Sequence, residues 1–178
     1  MSLVLDVGCG ENKRGTVGVD IRRTGMVDVL CDAHHLPFVD GIFEGCYAYA
    51  ILEHVENPVK VIKEISRVLM DSGWLEVLVP TDSRLRSDYI ACILSFDLIR
   101  CYKVYYKAMK SGEHKWQYSE QGLKQLLRLI GFETLKVERP PLPIVWGRKG
   151  RILAKMGIVR HPHLIMRAVK MECLRLEH

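Results

Sequence analysis

Short apolar runs, each ending near an acidic residue or a glycine, divide the first half of the chain. Residues 3–7 read Leu-Val-Leu-Asp-Val and run directly into Gly8. A short, nearly continuous apolar run bounded by glycine is typical of a strand buried on both faces of a parallel sheet. Comparable runs predict seven strands, at residues 3–7, 16–20, 27–31, 43–50, 74–79, 132–138 and 164–174.

Helical patterns are present in three places. Asn57 and Pro58 are favoured residues at a helix start, and apolar positions at helical spacing follow them until residues 71–73, which are expected to end the helix. A second helix is predicted over residues 120–130, behind a serine N-cap. Residues 84–110 form a mixed helical segment with four tyrosines. Packing on the core is its default role, although covering a pocket or lying on a membrane surface also fits its composition.

The composition excludes several classes of protein. With 178 residues, 48% hydrophobic and 26% charged, the chain suits one α/β domain with a proper core. It has no run of about 18 uncharged apolar residues, and its first strand begins too early to leave room for a signal peptide. Six cysteines without paired metal spacing indicate free thiols in a reducing, cytoplasmic setting. Residues 176–178 resemble the remnant of a purification tag.

The net charge of +5 is unevenly distributed. Eight basic residues and no acidic ones lie between Arg139 and Lys170. Such a block attracts phosphate, anionic lipid or an acidic substrate. A solvated basic face is the simpler interpretation, because aromatic stacking residues do not alternate with the basic ones. The sequence therefore gives no strong indication of nucleic-acid binding.

The glycine turn after the first strand, Gly8-Cys9-Gly10, indicates a ligand pocket at the carboxyl edge of the sheet. A dinucleotide fingerprint would need a third glycine at position 13 and a helix opening there. The chain instead has Lys13, and only residues 11–16 separate the turn from the next strand. A crossover helix needs about 10–12 residues, so this connection is predicted to be a loop with at most one helical turn. NAD therefore fits poorly, and a cofactor without a pyrophosphate fits better.

Several stretches in the right order and spacing resemble the class I S-adenosylmethionine-dependent methyltransferases, most closely the branch that methylates small molecules. They are residues 5–10, 17–21, 32–38, 51–55, 64–69, 73–75, 114–118 and 126–132. The resemblance implies an α/β, Rossmann-like fold with a mostly parallel seven-stranded sheet and helices on both faces. It also implies a methyltransferase that uses S-adenosyl-L-methionine as cofactor and releases S-adenosyl-L-homocysteine.

The resemblance assigns roles around the glycine turn. Gly8 and Gly10 let the backbone lie against the methionine and ribose, and Asp20 accepts both ribose hydroxyls. Asp32 accepts the adenine amino group. The implied cofactor-binding residues are Asp6, Gly8, Cys9, Gly10, Asp20, Ile21, Asp32, Ala33 and Ala48. Taken alone, Asp20 and Asp32 also fit acids in turns that follow strands.

Methyl transfer from a sulfonium is an in-line displacement, so alignment supplies much of the acceleration. A general base is needed only if the acceptor atom must lose a proton. The candidates are His54, His114 and Tyr49, although His54 equally fits a helix-start histidine bonded to the backbone. No metal site is expected, because His161 and His163 have no cysteine or acidic cluster nearby.

The front of the chain departs from the family pattern, in which N-terminal helices cover the cofactor. This chain is expected to lack them, with its first crossover helix shortened. We therefore expect Lys13 or Arg14 to contact the cofactor carboxylate and a second subunit to cover the site in a homodimer. Residues 1–175 are interpreted as one methyltransferase domain in which segments 84–112 and 140–163 build the acceptor site.

The identity of the acceptor is left open by the sequence. The apolar and basic character of the two acceptor segments favours an apolar or anionic small molecule, and it is compatible with peripheral membrane contact. One alternative is a non-catalytic module that binds S-adenosylmethionine and serves as a regulatory partner. Another is an RNA methyltransferase guided by the basic block. The absence of an Asn-Pro-Pro-Tyr-type sequence after the fourth strand argues against methylation of the amino group of a nucleic-acid base.

Overall fold

A computed structural model of the chain describes residues 2–80, 115–139 and 163–171. These residues form one sheet of seven strands and two helices. The strands are β1 (Val4–Val7), β2 (Val17–Asp20), β3 (Val29–Leu30), β4 (Phe43–Tyr49), β5 (Leu69–Pro80), β6 (Phe132–Glu138) and β7 (His163–Lys170), and the helices are α1 (Pro58–Val68) and α2 (Glu120–Leu129). All seven predicted strands are present, although β3 is shorter than the apolar run that predicted it.

The strand order in the sheet is β3-β2-β1-β4-β5-β7-β6. Strands β3, β2, β1, β4 and β5 pair in parallel. Strand β7 pairs antiparallel with both β5 and β6. The predicted mostly parallel seven-stranded sheet is confirmed. The chain order reverses direction between β1 and β4, and ligands of open α/β sheets bind at such a reversal, outside the carboxyl ends of the strands.

One face of the sheet carries the hydrophobic core. Alternate residues of the central strands, such as Leu5 and Val7 in β1 and Leu75 and Val77 in β5, are completely buried. The helix residues buried with them are Pro58, Val61, Ile62, Ile65 and Val68 of α1 and Leu123 and Leu127 of α2. Both helices thus contribute to one core, and helices on the second face are not seen among the residues that the structure describes.

Helix α1 begins where the sequence predicts it. The side-chain oxygen of Asn57 accepts a hydrogen bond of 3.1 Å from the amide of Lys60, and Pro58 occupies the first turn. Backbone N–H groups at the start of a helix have no helical partner, and Asn57 accepts a hydrogen bond from one of them. Pro58 restricts the backbone to a helical φ at the first helical position.

The predicted end of α1 at residues 71–73 is wrong. Leu69 is already the first residue of β5, because it pairs with Phe43 of the neighbouring strand. Pairing with β4 then shifts and resumes at Trp74, with Ser72 at a φ of 60°. The Asp-Ser-Gly sequence therefore forms an irregularity inside a strand rather than a helix C-cap.

Arg67 fastens the loop between β3 and β4 to α1. Its guanidinium donates to the backbone oxygens of Leu36 at 2.9 Å and Phe38 at 2.8 Å, and to the carboxylate of Asp40 at 2.7 Å. It also donates to both oxygens of Glu64, and these hydrogen bonds lower the pKa of that carboxyl. One arginine therefore holds a connection that lacks a helix of its own.

The connection from β1 to β2 contains no helix, as predicted. Asp6, fully buried on β1, accepts the amide of Arg14 at 2.6 Å, and its burial raises the pKa of the carboxyl. Lys13 forms an ion pair of 2.8 Å with Asp28, whose carboxylate also accepts the amide of Gly18 at 2.7 Å. Side chains therefore hold this short loop against the sheet.

The second face of the sheet carries aromatic and charged side chains. The hydroxyl of Tyr49 donates to one carboxylate oxygen of Glu76, and the Nε of Arg167 donates to the other at 2.7 Å. The guanidinium of Arg14 lies 4.4 Å from the centre of the Tyr49 ring, close enough for a cation–π interaction. Burial, followed by the hydrogen bond to Glu76, raises the pKa of Tyr49.

Some predictions fall outside the described residues. They concern His114, His161, segment 84–112, all of segment 140–163 except its last residue, and the terminal residues 176–178. Neither of the two described helices is long and apolar enough to cross a membrane. Cys9, Cys31 and Cys46 are free thiols, as predicted, and burial raises the pKa of each.

Candidate functional site

A cleft of about 560 Å³ opens at the carboxyl ends of β1, β2 and β4. It lies where the strand order reverses, the position at which ligands bind in open α/β sheets. Five of the nine predicted cofactor-binding residues line it, namely Gly8, Asp20, Ile21, Asp32 and Ala33. The structure thus brings together residues that follow three different strands.

The turn at Gly8 brings backbone to the wall of the cleft. Gly8 has a φ of +73°, and its amide donates to the carbonyl of Val19 at 2.8 Å. A Cβ at this position would lie 2.8 Å from the Cδ1 and 3.0 Å from the Cβ of Ile51, which also lines the cleft. A residue with a side chain would therefore strain the backbone and displace a cleft residue.

Asp20 presents a partly used carboxylate to the cleft. Its Oδ2 accepts the amide of Gly10 at 3.0 Å, and its Oδ1 accepts the amide of Arg22 at 2.9 Å. An ionised carboxylate accepts about four hydrogen bonds, so each oxygen has room for a further donor. Two adjacent acceptors of this kind suit a pair of neighbouring hydroxyl groups.

Asp32 is more exposed, and its carboxylate is also oriented by the backbone. Its Oδ1 accepts the amide of His34 at 2.9 Å and lies 2.6 Å from the Nδ1 of the same histidine. The amide hydrogen bond lowers the pKa of Asp32, so the group is ionised at neutral pH. Among the described residues no hydrogen bond engages Oδ2, which leaves an acceptor for a donor in the cleft.

Four predicted cofactor residues do not line the cleft. Asp6 lies beneath the β1–β2 loop, and Cys9 is 3% exposed, with its Sγ 3.9 Å from the carbonyl of Met26. Ala48 is completely buried in the core. Gly10 acts indirectly, because its amide holds the carboxylate of Asp20. These four residues therefore lie behind the residues that line the cleft.

The three candidate bases have different positions. His54 lines the cleft, whereas His114 lies outside the described residues. Tyr49 belongs to the second face of the sheet, where its hydroxyl donates to Glu76. Because its pKa is raised, Tyr49 keeps its proton at neutral pH and is a poor base. Lys13 and Arg14 do not line the cleft either, since they contact Asp28 and the Tyr49 ring respectively.

Several cleft residues were not anticipated from the sequence. They are Val7, Val19, Arg22, Cys31, His34, Ala50, Ile51, Val55, Glu56 and Lys115. Ala50 has a φ of +52°, a conformation that its residue type does not suggest. Ile51 and Val55 read as ordinary apolar residues. Lys115 has no local sequence signal for the cleft, because it is 61 positions away from His54 along the chain and only tertiary packing brings the two together.

The segment at residues 115–118 is strapped to the loop that follows β4. The amides of Lys115 and Trp116 both donate to the carbonyl of Glu53, at 2.7 and 3.2 Å. The indole N–H of Trp116 donates to the carbonyl of Val55 at 2.8 Å, and the Tyr118 hydroxyl donates to a third carbonyl of this loop at 3.0 Å. The strap fixes the wall of the cleft that carries the candidate base.

Comparison with known proteins identifies the fold. Residues 5–77 match the family model described as a methyltransferase domain. An S-adenosylmethionine-dependent methyltransferase from Thermotoga maritima superposes with a TM-score of 0.67 at 20% identity, covering 96% of this chain and 83% of its own. The chain has the fold of a methyltransferase. A similar enzyme from Archaeoglobus fulgidus gives a TM-score of 0.63 at 19% identity, over 95% of this chain and 86% of its own.

The matches confirm the predicted class I methyltransferase fold, and the cofactor of these neighbours is S-adenosyl-L-methionine. Human "Probable tRNA methyltransferase 9B" is 31% identical over 96 residues, which cover 44% of this chain and 21% of that protein. The chain thus spans about a fifth of the length of this curated relative. A Haloferax volcanii methyltransferase in complex with the Trm112 activator gives a TM-score of 0.63 at 14% identity, over 95% and 82% of the two chains.

Proposed function

We propose that the chain is an S-adenosylmethionine-dependent methyltransferase that acts on a small-molecule acceptor. The observation that carries the proposal is the cleft itself. It joins a backbone turn that only glycine suits, at Gly8, to the carboxylates of Asp20 and Asp32 at the carboxyl ends of two neighbouring strands. This set of groups fits an adenosyl group without a pyrophosphate.

The residues fit the cofactor in chemical terms. Gly8 presents backbone without a side chain to the cleft, so a methionine chain can lie against it. The two oxygens of Asp20 suit the two ribose hydroxyls, and the Oδ2 of Asp32 suits the adenine amino group. Ile21 is 71% exposed, so its side chain is available to pack on an adenine face.

S-adenosyl-L-methionine, when bound, supplies a methyl group that the acceptor takes by in-line displacement, with S-adenosyl-L-homocysteine as the product. The chain contributes alignment, which supplies much of the acceleration in such a reaction. His54 is the described side chain placed to take a proton if the acceptor atom carries one.

Calorimetric titration with S-adenosyl-L-methionine and S-adenosyl-L-homocysteine tests the proposal. Asp20→Asn removes a charged acceptor, so we expect binding about 10 to 100 times weaker than in the wild type. Asp71→Asn is the matched control, because Asp71 is exposed, outside the cleft, and 3.6 Å from Lys170. Absence of binding by the wild type at millimolar ligand would contradict the proposal. Binding without turnover on any acceptor would favour the non-catalytic module.

A transfer to RNA is the second candidate. It rests on the curated relatives named as tRNA methyltransferases, which share 30 to 32% identity with up to 44% of this chain. Incubation with labelled S-adenosyl-L-methionine and either total tRNA or a small-molecule panel separates the two acceptor classes. Label in the tRNA fraction alone would replace the small-molecule proposal.

The remaining proposals concern the domain organisation, the cellular compartment and the oligomeric state. Residues 1–175 are proposed to form one domain, with segments 84–112 and 140–163 building the acceptor site. The free thiols Cys9, Cys31 and Cys46 suit the reducing cytoplasm. A homodimer is proposed to cover the front of the cleft, and light scattering tests it. The Haloferax neighbour, bound to an activator, adds a heteromeric arrangement to the outcomes of that measurement.

A further inference from the structure

The imidazole of His34 lies between a cleft carboxylate and the start of a helix. Its Nδ1 is 2.6 Å from the Oδ1 of Asp32, and its Nε2 is 3.1 Å from the amide nitrogen of Asn57. A backbone amide can only donate, so Nε2 must be the acceptor. Nδ1 therefore carries the ring proton, and this N–H donates a hydrogen bond to the Oδ1 of Asp32. The two contacts together fix the neutral imidazole in one tautomer.

The histidine links two elements that the chain sequence separates. Asn57 is the N-cap of α1, and its side chain accepts the amide of Lys60. Asp32 follows β3, and its Oδ1 receives two donors from His34, the amide and the ring. Oδ1 is thus occupied, and the carboxylate is oriented jointly by the His34 amide and by a ring that the start of α1 holds in place.

We propose that His34 is a positioning residue, which directs the Oδ2 of Asp32 towards the amino group of the adenine only while the imidazole is neutral. The inference rests on the proposed function, because it takes the cleft to be the S-adenosylmethionine site. It goes further, since it assigns a role to a residue for which the cofactor-binding pattern has none and makes cofactor affinity depend on pH.

Protonation of the ring would place a second N–H donor opposite the Asn57 amide. Two donors cannot share this hydrogen bond, so the contact at Nε2 is lost and the ring no longer ties Asp32 to α1. The other titratable or charged side chains lining the same cleft are Asp20, Arg22, Cys31, Asp32, His54, Glu56 and Lys115. On the α1 side, the Nζ of Lys60 lies 2.5 Å from the Nε2 of His35. His35 and His54 are therefore the two neighbouring histidines that the control variants must distinguish from His34.

The test is calorimetric titration with S-adenosyl-L-homocysteine across the range of about pH 8 to 5.5, in which imidazoles titrate. For the wild type we expect affinity about fivefold lower at the acidic end, which is the scale of one lost hydrogen bond. His34→Gln, which cannot take up a proton there, is expected to give a flat profile. His35→Gln and His54→Gln are expected to keep the acidic decline.

A wild-type protein that binds with a flat profile would overturn the inference and leave the proposed function standing. A decline that disappears in His54→Gln or His35→Gln, and persists in His34→Gln, would also overturn it. Failure of the wild type to bind at any pH would instead remove the proposed function. His34→Phe is a second variant, expected to bind more weakly than the wild type at neutral pH and without a pH-dependent decline. Circular dichroism of each variant confirms that the fold is retained.

Discussion

Replacing each of the two glycines of the first turn by alanine separates backbone strain from steric displacement. Gly8 and Gly10 both have positive φ angles, of 73° and 53°. A Cβ on Gly10 would have no heavy atom within 4 Å, whereas a Cβ on Gly8 would lie within 3.0 Å of Ile51 atoms. The Cδ1 of Ile51 can rotate away, but its Cβ is fixed to the backbone. Gly8→Ala must therefore shift a backbone segment that lines the cleft.

The magnitudes follow from these two contributions. Gly10→Ala carries the left-handed backbone cost alone, about 1 kcal/mol of unfolding free energy. Gly8→Ala adds an overpacking cost of about 1 to 3 kcal/mol, for a total loss of about 2 to 4 kcal/mol. Because Gly8 and Ile51 both line the cleft, Gly8→Ala is also expected to weaken S-adenosyl-L-homocysteine binding about tenfold.

Urea denaturation followed by tryptophan fluorescence measures the stabilities, and calorimetry measures binding. Gly10→Ala is the control for the shared backbone cost, and its affinity is expected to stay within about twofold of the wild type. Equal losses of stability in Gly8→Ala and Gly10→Ala, with unchanged affinity in both, would refute the reasoning.

Three further predictions concern the frame around the cleft. Arg67→Lys removes the planar guanidinium that holds the β3–β4 loop and should lower the unfolding free energy, measured by urea denaturation, by about 2 kcal/mol. The control Lys63→Ala, on the exposed side of α1, should change the unfolding free energy by no more than about 0.5 kcal/mol. Equal effects of the two variants would contradict the role of the guanidinium. Tyr118→Phe leaves the carbonyl of Leu52 without its hydroxyl donor and should lower the unfolding free energy by about 1 to 2 kcal/mol, so an unchanged melting temperature would count against the strap. The folded-state pKa of Glu64 is lowered, so its stabilisation is complete above the unfolded-state pKa and is lost as pH falls through the folded-state value. Between about pH 5 and 3 the wild type should therefore lose stability more steeply than Glu64→Gln, and parallel pH profiles would exclude this contribution.

The sheet was predictable from the sequence because strands buried on both faces leave a simple signature. The apolar runs at residues 3–7 and 16–20, each bounded by glycine or an acid, correspond closely to β1 and β2. The boundary between α1 and β5 was not predictable. Residues 71–73 carry the local features of a helix C-cap, and the pairing of Leu69 with Phe43 overrides them.

The residues of the candidate site also fall into those that the sequence predicts and those that it does not. Asp20 and Asp32 were predictable because carboxyl ends of parallel strands meet at one edge of a sheet, so an acid that ends a strand is placed there by topology. The ring contacts of His34 and the presence of Lys115 were not, because they depend on how distant segments pack. Ala48, two positions before the cleft residue Ala50, is completely buried within β4, and its burial depends on how the neighbouring strands and α1 pack around it.

The strap at residues 115–118 has a consequence for measurement. The amides of Lys115 and Trp116 share the carbonyl of Glu53, in the loop that forms one wall of the cleft. Exchange of these two amide hydrogens with deuterium requires the strap to open, so their exchange rates report how firmly that wall is held. A ligand in the cleft should slow them before any acceptor is known, which makes peptide-level deuterium uptake a way to screen ligands without a catalytic assay.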